Sequence, residues 1–245
     1  MNGENRLPDA GQAKPQGLGT GIGSAPGSMS SRNAHLEAAL AAGNESTRLK
    51  AALAIGTHRV PELVDALLSR CAVEPDFYVR DMLTWALIQF PSDVIVPRLL
   101  AELGSGVPQA RSQALHTLSK VRDVTAFPAI TRALLCDPDD EVARSAWRAA
   151  VVLVPDTKRA ELADALASQL GRGDRKLQLS LSRALVALGS EVTSPVLRKH
   201  MDGIEGATKI HAEATDRMLR DPDAGFELDV REAKRQFVLG KDRKQ

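Results

Sequence analysis

Aromatic side chains are scarce in this 245-residue chain: they make up 3% of it, as two Trp, one Tyr and five Phe. The 43% of hydrophobic residues is therefore carried mainly by Ala, Leu and Val, which suits closely packed helices and argues against a β-sandwich. Cysteine is scarcer still. Cys71 and Cys136 stand far apart in sequence, which excludes a disulfide framework and a zinc knuckle and fits a reducing compartment. Neither sign of charge dominates: 32 Lys and Arg against 31 Asp and Glu leave a formal +1, so no global polycation is offered to nucleic acid or to an acidic membrane. No apolar run reaches the roughly 18 residues of a membrane span, and no basic stretch followed by an apolar one opens the sequence. Neither a transmembrane helix nor a signal peptide is expected, and the expected location is the cytoplasm.

Residues 1–31 hold seven glycines and three prolines, with Leu7, Leu18 and Ile22 as their only large aliphatics. Such a segment buries too little surface to offset its ordering entropy, and a disordered tail is expected there. Its Gly-Leu-Gly-Thr-Gly-Ile-Gly run (residues 17–23) has the G-x-G spacing of phosphate loops. It follows a Pro/Gln-rich coil instead of a strand and is not succeeded by Gly-Lys-Ser/Thr, so no nucleotide site is read from it. An alternative places the native start at Met29; a native peptide covering residues upstream of Met29 excludes that.

The informative feature is an internal repeat. Helical segments of one pattern begin at Thr47, Val79, Ala110, Val142, Leu177 and, more weakly, Ile210, at spacings of 32, 31, 32, 35 and 33 residues. Val79-Arg80-Asp81-Met82-Leu83-Thr84-Trp85-Ala86-Leu87 is representative. Counting each start as position 0, positions 0, 4 and 7 or 8 are apolar or Ala, with Thr47 the exception at position 0, one face at helical period. Ala51, Ala86, Ala114, Ala146 and Ala184 allow close helix approach. A second helix follows with the form x-Pro-x-aliphatic around Pro61, Pro97, Pro128 and Pro195, where proline is expected in the first turn because its missing N–H is not needed there. The fourth unit departs, with Ala160 at that place. Turn and N-cap compositions separate the helices, as at Glu74-Pro75-Asp76 and Asp137-Pro138-Asp139-Asp140. A lone pair of such helices cannot cover its own apolar face. Stacked pairs can, and the expected fold is an all-α, right-handed α-solenoid of about six helical hairpins. Its expected limits are residues 32–220, with residues 32–42 as the opening helix and 221–245 as a C-terminal capping helix with a basic end.

The V-R-x-x-A-x-x-A-L helix, the x-P-x-L helix and the Asp137-Pro138-Asp139 loop resemble the HEAT-repeat superfamily in its short, phycobilisome-lyase-like form. The resemblance covers most of the chain and is specific for fold. For function it implies several classes: protein-binding scaffolds, lyase-like handlers of cofactor-bearing proteins, metal-dependent hydroxylases and alkylpurine DNA glycosylases. The hydroxylases carry repeated His-Glu pairs. Here none of His35, His58, His116, His200 and His211 precedes a Glu, and no two are three or four residues apart, so no metal or cofactor is expected. No nucleophile-elbow glycine pattern is present, and Cys71 and Cys136 read as small core residues. The glycosylase resemblance implies tryptophans and an Asp at a damaged nucleotide. The candidates are Asp81 and Trp85, four residues apart on one helix face, and Trp147, whose repeat position otherwise reads as core.

Position 6 of the repeat holds Leu53, Trp85, His116, Arg148, Arg183 and Asp216. It lies away from the apolar face, and equivalent positions align along a solenoid. Trp85, His116, Lys120, Arg144, Arg148 and Arg183 are therefore the expected partner-binding strip, one aromatic with a basic centre. Arg48, Arg80 and Arg111, at position 1, are expected to pair with Asp or Glu of neighbouring repeats. The resulting expectation is a non-enzymatic adaptor that recognises another protein, one with an acidic surface or peptide, through the inner helix face. A nucleic-acid-acting protein using Asp81, Trp85 and Trp147 is the alternative, and a lyase-like chaperone the third reading. No membrane partner is expected.

Overall fold

The computed structural model describes residues 26–203 and 206–221. Among them are twelve α-helices, three 3₁₀ turns and no strand. The helices are α1 (Pro26–Leu40), α2 (Glu45–His58), α3 (Val64–Cys71), α4 (Phe77–Leu87), α5 (Ser92–Glu102) and α6 (Pro108–Val121), then α7 (Arg132–Leu135), α8 (Asp140–Leu153), α9 (Arg159–Ala167), α10 (Arg175–Ala187), α11 (Ser190–Gly203) and α12 (Ala207–Arg220). The first begins at Pro26, six residues ahead of the expected boundary at 32. The glycine-rich run and nearly all of the expected C-terminal cap over 221–245 lie outside the described residues.

The even-numbered helices are the repeating segments of the sequence, and their starts are chemically marked. Asn44, Asp76, Asp139 and Asp174 each sit three residues before a repeat start. Each accepts a hydrogen bond from the backbone N–H of the residue at that start: Thr47, Val79, Val142 and Leu177. These caps satisfy N–H groups that a helix end leaves without intrahelical partners. Helix α6 has no such cap and opens instead on Pro108 in its first turn.

Packing pairs the helices differently from the grouping the sequence suggests. Each even helix packs more closely on the odd helix before it than on the one after it, giving the pairs α1–α2, α3–α4 and so on to α11–α12. The even helices also contact one another in a row from α2 to α12. The core lies between the two rows. Position 8 of the repeat shows it best: Ile55, Leu87, Leu118, Ala150 and Leu185 are all buried. Burying that shared stripe is what makes the stack stable when a single pair is not.

The prolines correct one expectation. Pro61 does open a 3₁₀ turn, Pro61–Leu63, but Pro97 and Pro195 lie inside α5 and α11. In α5 the helix starts a turn early because Pro91 sets its entry and accepts from the Ile95 N–H. Pro97 then falls in the second turn, where it removes one helical hydrogen bond. In the third unit the segment around Pro128 is a 3₁₀ turn, Val124–Ala129, and α7 is reduced to four residues.

Candidate functional site

Three consecutive even helices, α4, α6 and α8, enclose a cleft of about 210 Å³ lined by Arg80, Asp81, Thr84, His116, Arg144 and Arg148, among others. A second and larger cleft, about 460 Å³, continues from it over α6, α8 and α10. Its charged lining is Lys120, Arg122, Arg148 and Arg183, its apolar floor includes Val151, Val152 and Ala184, and among the described residues no carboxylate lines it. His116 and Arg148 line both clefts and form the ridge between them.

Five of the six expected partner-binding residues are therefore brought together: His116, Lys120, Arg144, Arg148 and Arg183. Trp85 is not among them. It is half-buried, and its ring packs over Gly56 of α2, so close that a Cβ at Gly56 would lie 2.7 Å from ring atom Cζ3. The position-6 column is basic only over α6, α8 and α10. At one end Leu53 is an exposed aliphatic, and at the other Asp216 is held by Arg220 at 2.6 Å.

The residues of the nucleic-acid alternative are dispersed in environment. Trp147 has 0% exposure, and its indole Nε1–H donates to the Leu135 carbonyl at 2.8 Å. A ring so enclosed offers no face to a nucleotide arriving from solvent. Asp81 is exposed at the first cleft.

The local field is positive. Burial lowers the pKa of His116 from its ordinary value, and Arg148 and Lys120 lower it further against the opposing pull of Asp81. Burial likewise disfavours the charge on Arg148, with Arg144 adding to the effect and Glu141 opposing it. Arg144 is anchored at one end by an ion pair with Glu141 one turn earlier. Its Nε is nevertheless buried with no hydrogen-bond partner, as is the Thr84 hydroxyl.

The position-1 arginines are occupied elsewhere. Arg48 grips Glu74 through Nε and Nη2 at 2.7 and 2.8 Å, and Arg111 holds both oxygens of Asp137. Arg80 differs from the expectation: it caps the Glu74 and Pro75 carbonyls and has no carboxylate partner. The acid that the other two use lies 26 residues on, and for Arg80 that place is Gly106. Burial pushes the Cys71 thiol up to about 12, aided by Glu102 and Glu74, so it is a protonated core residue and no nucleophile. Among the described residues no three His, Cys, Asp or Glu converge as metal ligands would, and no helix is long and apolar enough to cross a membrane.

Sequence reasoning missed Thr84, Arg122 and the Glu141 anchor. Thr84 sits at repeat position 5, where Ala52, Leu115 and Trp147 are apolar, so its polarity is a visible exception. Ser182 and Thr215 are exceptions too, and only packing separates them from it.

No curated protein matches the chain. A family model for HEAT repeats matches residues 64–151, from the start of α3 into the last turns of α8, the span that supplies the first cleft and much of the second. The helix pairs of this stretch, with their buried shared stripe and arginine-bound loops, are similar to HEAT repeats over residues 64–151.

Proposed function

We propose that this chain is a non-enzymatic adaptor that seats an acidic segment of a partner protein across the exposed face of α6, α8 and α10. HEAT repeats generally mediate protein binding. The observation that carries the reading is the second cleft: Lys120, Arg122 and Arg148 over an apolar floor, with no carboxylate among the described residues of its lining. Aligned arginines beside aliphatic floor atoms suit a segment that alternates acidic and apolar residues. The close packing of the even helices on one another supports placing them on the inside of the stack's curvature, where a partner is wrapped instead of merely touched.

The test is affinity capture from native lysate with the full chain and with a Lys120→Glu/Arg183→Glu variant, each in nuclease-treated and untreated halves. A protein retained by the native chain after nuclease, and lost with the variant, is expected. Retention that depends on nucleic acid, or that is indifferent to the charge reversal, overturns the reading. Salt should weaken the capture, since the contacts are between solvent-facing charges.

A further inference from the structure

We infer that the smaller cleft between α4, α6 and α8 is a seat for a single carboxylate side chain of that partner, received by Thr84, Arg144 and Arg148. The inference rests on the adaptor reading and names the chemistry of its anchor.

Two buried polar atoms in this lining lack partners. Thr84 is 4% exposed, and its Oγ1 has no hydrogen bond. The other buried hydroxyls among the described residues are engaged. Ser112 and Thr117 donate to carbonyls of their own helix, and Thr193 donates to the Leu185 carbonyl. Ser182 and Thr215, at the same repeat position as Thr84, bond each other at 2.8 Å, and Ser145 faces Arg148. Arg144 Nε is the second orphan. A guanidinium N–H can only donate, and a threonine hydroxyl can do so, so one acceptor placed between them would satisfy both. Unmet buried donors are costly, and two of them in one cleft call for an acceptor from outside the chain.

The charges in the lining choose the acceptor. Arg80, Arg144 and Arg148 face Asp81 and Glu141, a surplus of one positive charge. A monoanion neutralises it, whereas a phosphate dianion would overshoot it beside two carboxylates already present. The volume, about 210 Å³, is below that of an ordinary small-molecule site and suits one side chain. Phe77, exposed and in the same lining, can cover the methylene stem of that side chain. His116 and Arg148 then lead the rest of the segment into the second cleft.

The experiment follows the arginine Nε–H resonances of the ¹⁵N-labelled full chain. Sodium acetate and inorganic phosphate are titrated separately at constant ionic strength, and an acetylated decaglutamate peptide is titrated in parallel. Acetate is expected to move the Arg144 signal saturably. Thr84→Val, which removes a hydroxyl that holds nothing, and Arg144→Lys, which keeps the charge but removes Nε–H, are each expected to weaken decaglutamate binding by about fivefold, the worth of one hydrogen bond. An Arg144 signal unmoved by acetate, a response to phosphate alone, or full affinity in Thr84→Val overturns the inference. Decaglutamate binding that falls in Lys120→Gln/Arg183→Gln but not in Thr84→Val or Arg144→Lys overturns the seat and leaves the adaptor reading standing. No decaglutamate binding at all overturns the adaptor reading, and with it the source of the carboxylate named here.

Discussion

Glu74 has no exposed side-chain surface, yet it accepts hydrogen bonds from Arg48, Arg70 and the Asp76 N–H. Burial alone would raise its pKa, but hydrogen bonds from Arg48, the Asp76 N–H and Arg70 outweigh burial and hold it at about 2. Because the folded value lies below the unfolded one, the group stabilises the fold fully above about 4.5, and that contribution is lost as pH falls from about 4.5 toward 2. The unfolding free energy of the native chain should therefore drop across that interval, and the Glu74→Gln profile should be flatter there. Glu74→Ala leaves Arg48 buried without its counter-charge and should cost about 3–5 kcal/mol in chemical denaturation. Gly56 makes the opposite point, that a helix can need a poor helix former. A Cβ there would meet the Ala86 Cα at 2.7 Å, so α2 and α4 approach closely only because it is absent. Gly56→Ala should destabilise by about 1–3 kcal/mol despite alanine's better helix propensity. No rise in melting temperature is expected from it.

Periodicity and caps made the even helices legible as elements. Position 8 is buried along the stack, and the Asn and Asp three residues before four repeat starts are the caps. Less legible were matters decided by packing. Which neighbour a helix pairs with, where Pro97 falls relative to a helix start, and whether Trp85 reaches solvent all depend on a facing element that local spacing does not specify. The contrast of Thr84 with Ser182 has the same source: one column and similar side chains, but only Ser182 meets a partner across the interface. That partner belongs to the joint made by α12, the last of the described helices. His211 of α12 accepts the Gly171 N–H at Nδ1, at 3.0 Å, which leaves the proton on Nε2 facing the Gln178 carbonyl and Ser182. Gly171 adopts φ +84°, and a Cβ on it would lie 2.9 Å from the Thr208 nitrogen, so α12 sits directly against this turn. Burial lowers the His211 pKa, with the Gln178 hydrogen bond opposing it. The unfolded or undocked chain therefore binds the proton more readily, and docking weakens as pH falls below about 6.5. Amide exchange in α12, corrected for its intrinsic pH dependence, should be faster at about pH 5.5 than at about 7.5. His211→Gln should remove the difference.

At the scale of the molecule, a formal charge of +1 conceals a division of labour among the arginines. Arg48 and Arg111, held by Glu74 and Asp137, stitch successive pairs together, and Arg70 engages Glu74 from the end of its own helix. Lys120, Arg122 and Arg148 face a cleft with no carboxylate in its lining among the described residues. Arg122 reaches that cleft from a left-handed backbone, φ 60°, at the end of α6, a conformation that favours glycine. Arg122→Gly should thus raise stability by up to about 1 kcal/mol while weakening an acidic partner, the trade-off expected where strain is kept for a function. His116 lies at the centre of this surface and gives the binding a pH signature. Burial, Arg148 and Lys120 lower its pKa in the free protein, with Asp81 opposing them, so it is neutral at pH 7. An anion seated on either cleft favours the imidazolium and raises that pKa, so binding takes up protons wherever the free and bound values differ. Affinity for an acidic segment should rise as pH falls from about 7.5 to about 5.5, a range in which ordinary carboxylates stay ionised. Calorimetry in buffers of different ionisation enthalpy measures the uptake directly. In His116→Gln the uptake should vanish while binding at pH 7.5 is retained; an unchanged uptake in that variant would place the proton on the partner and remove His116 from the binding surface.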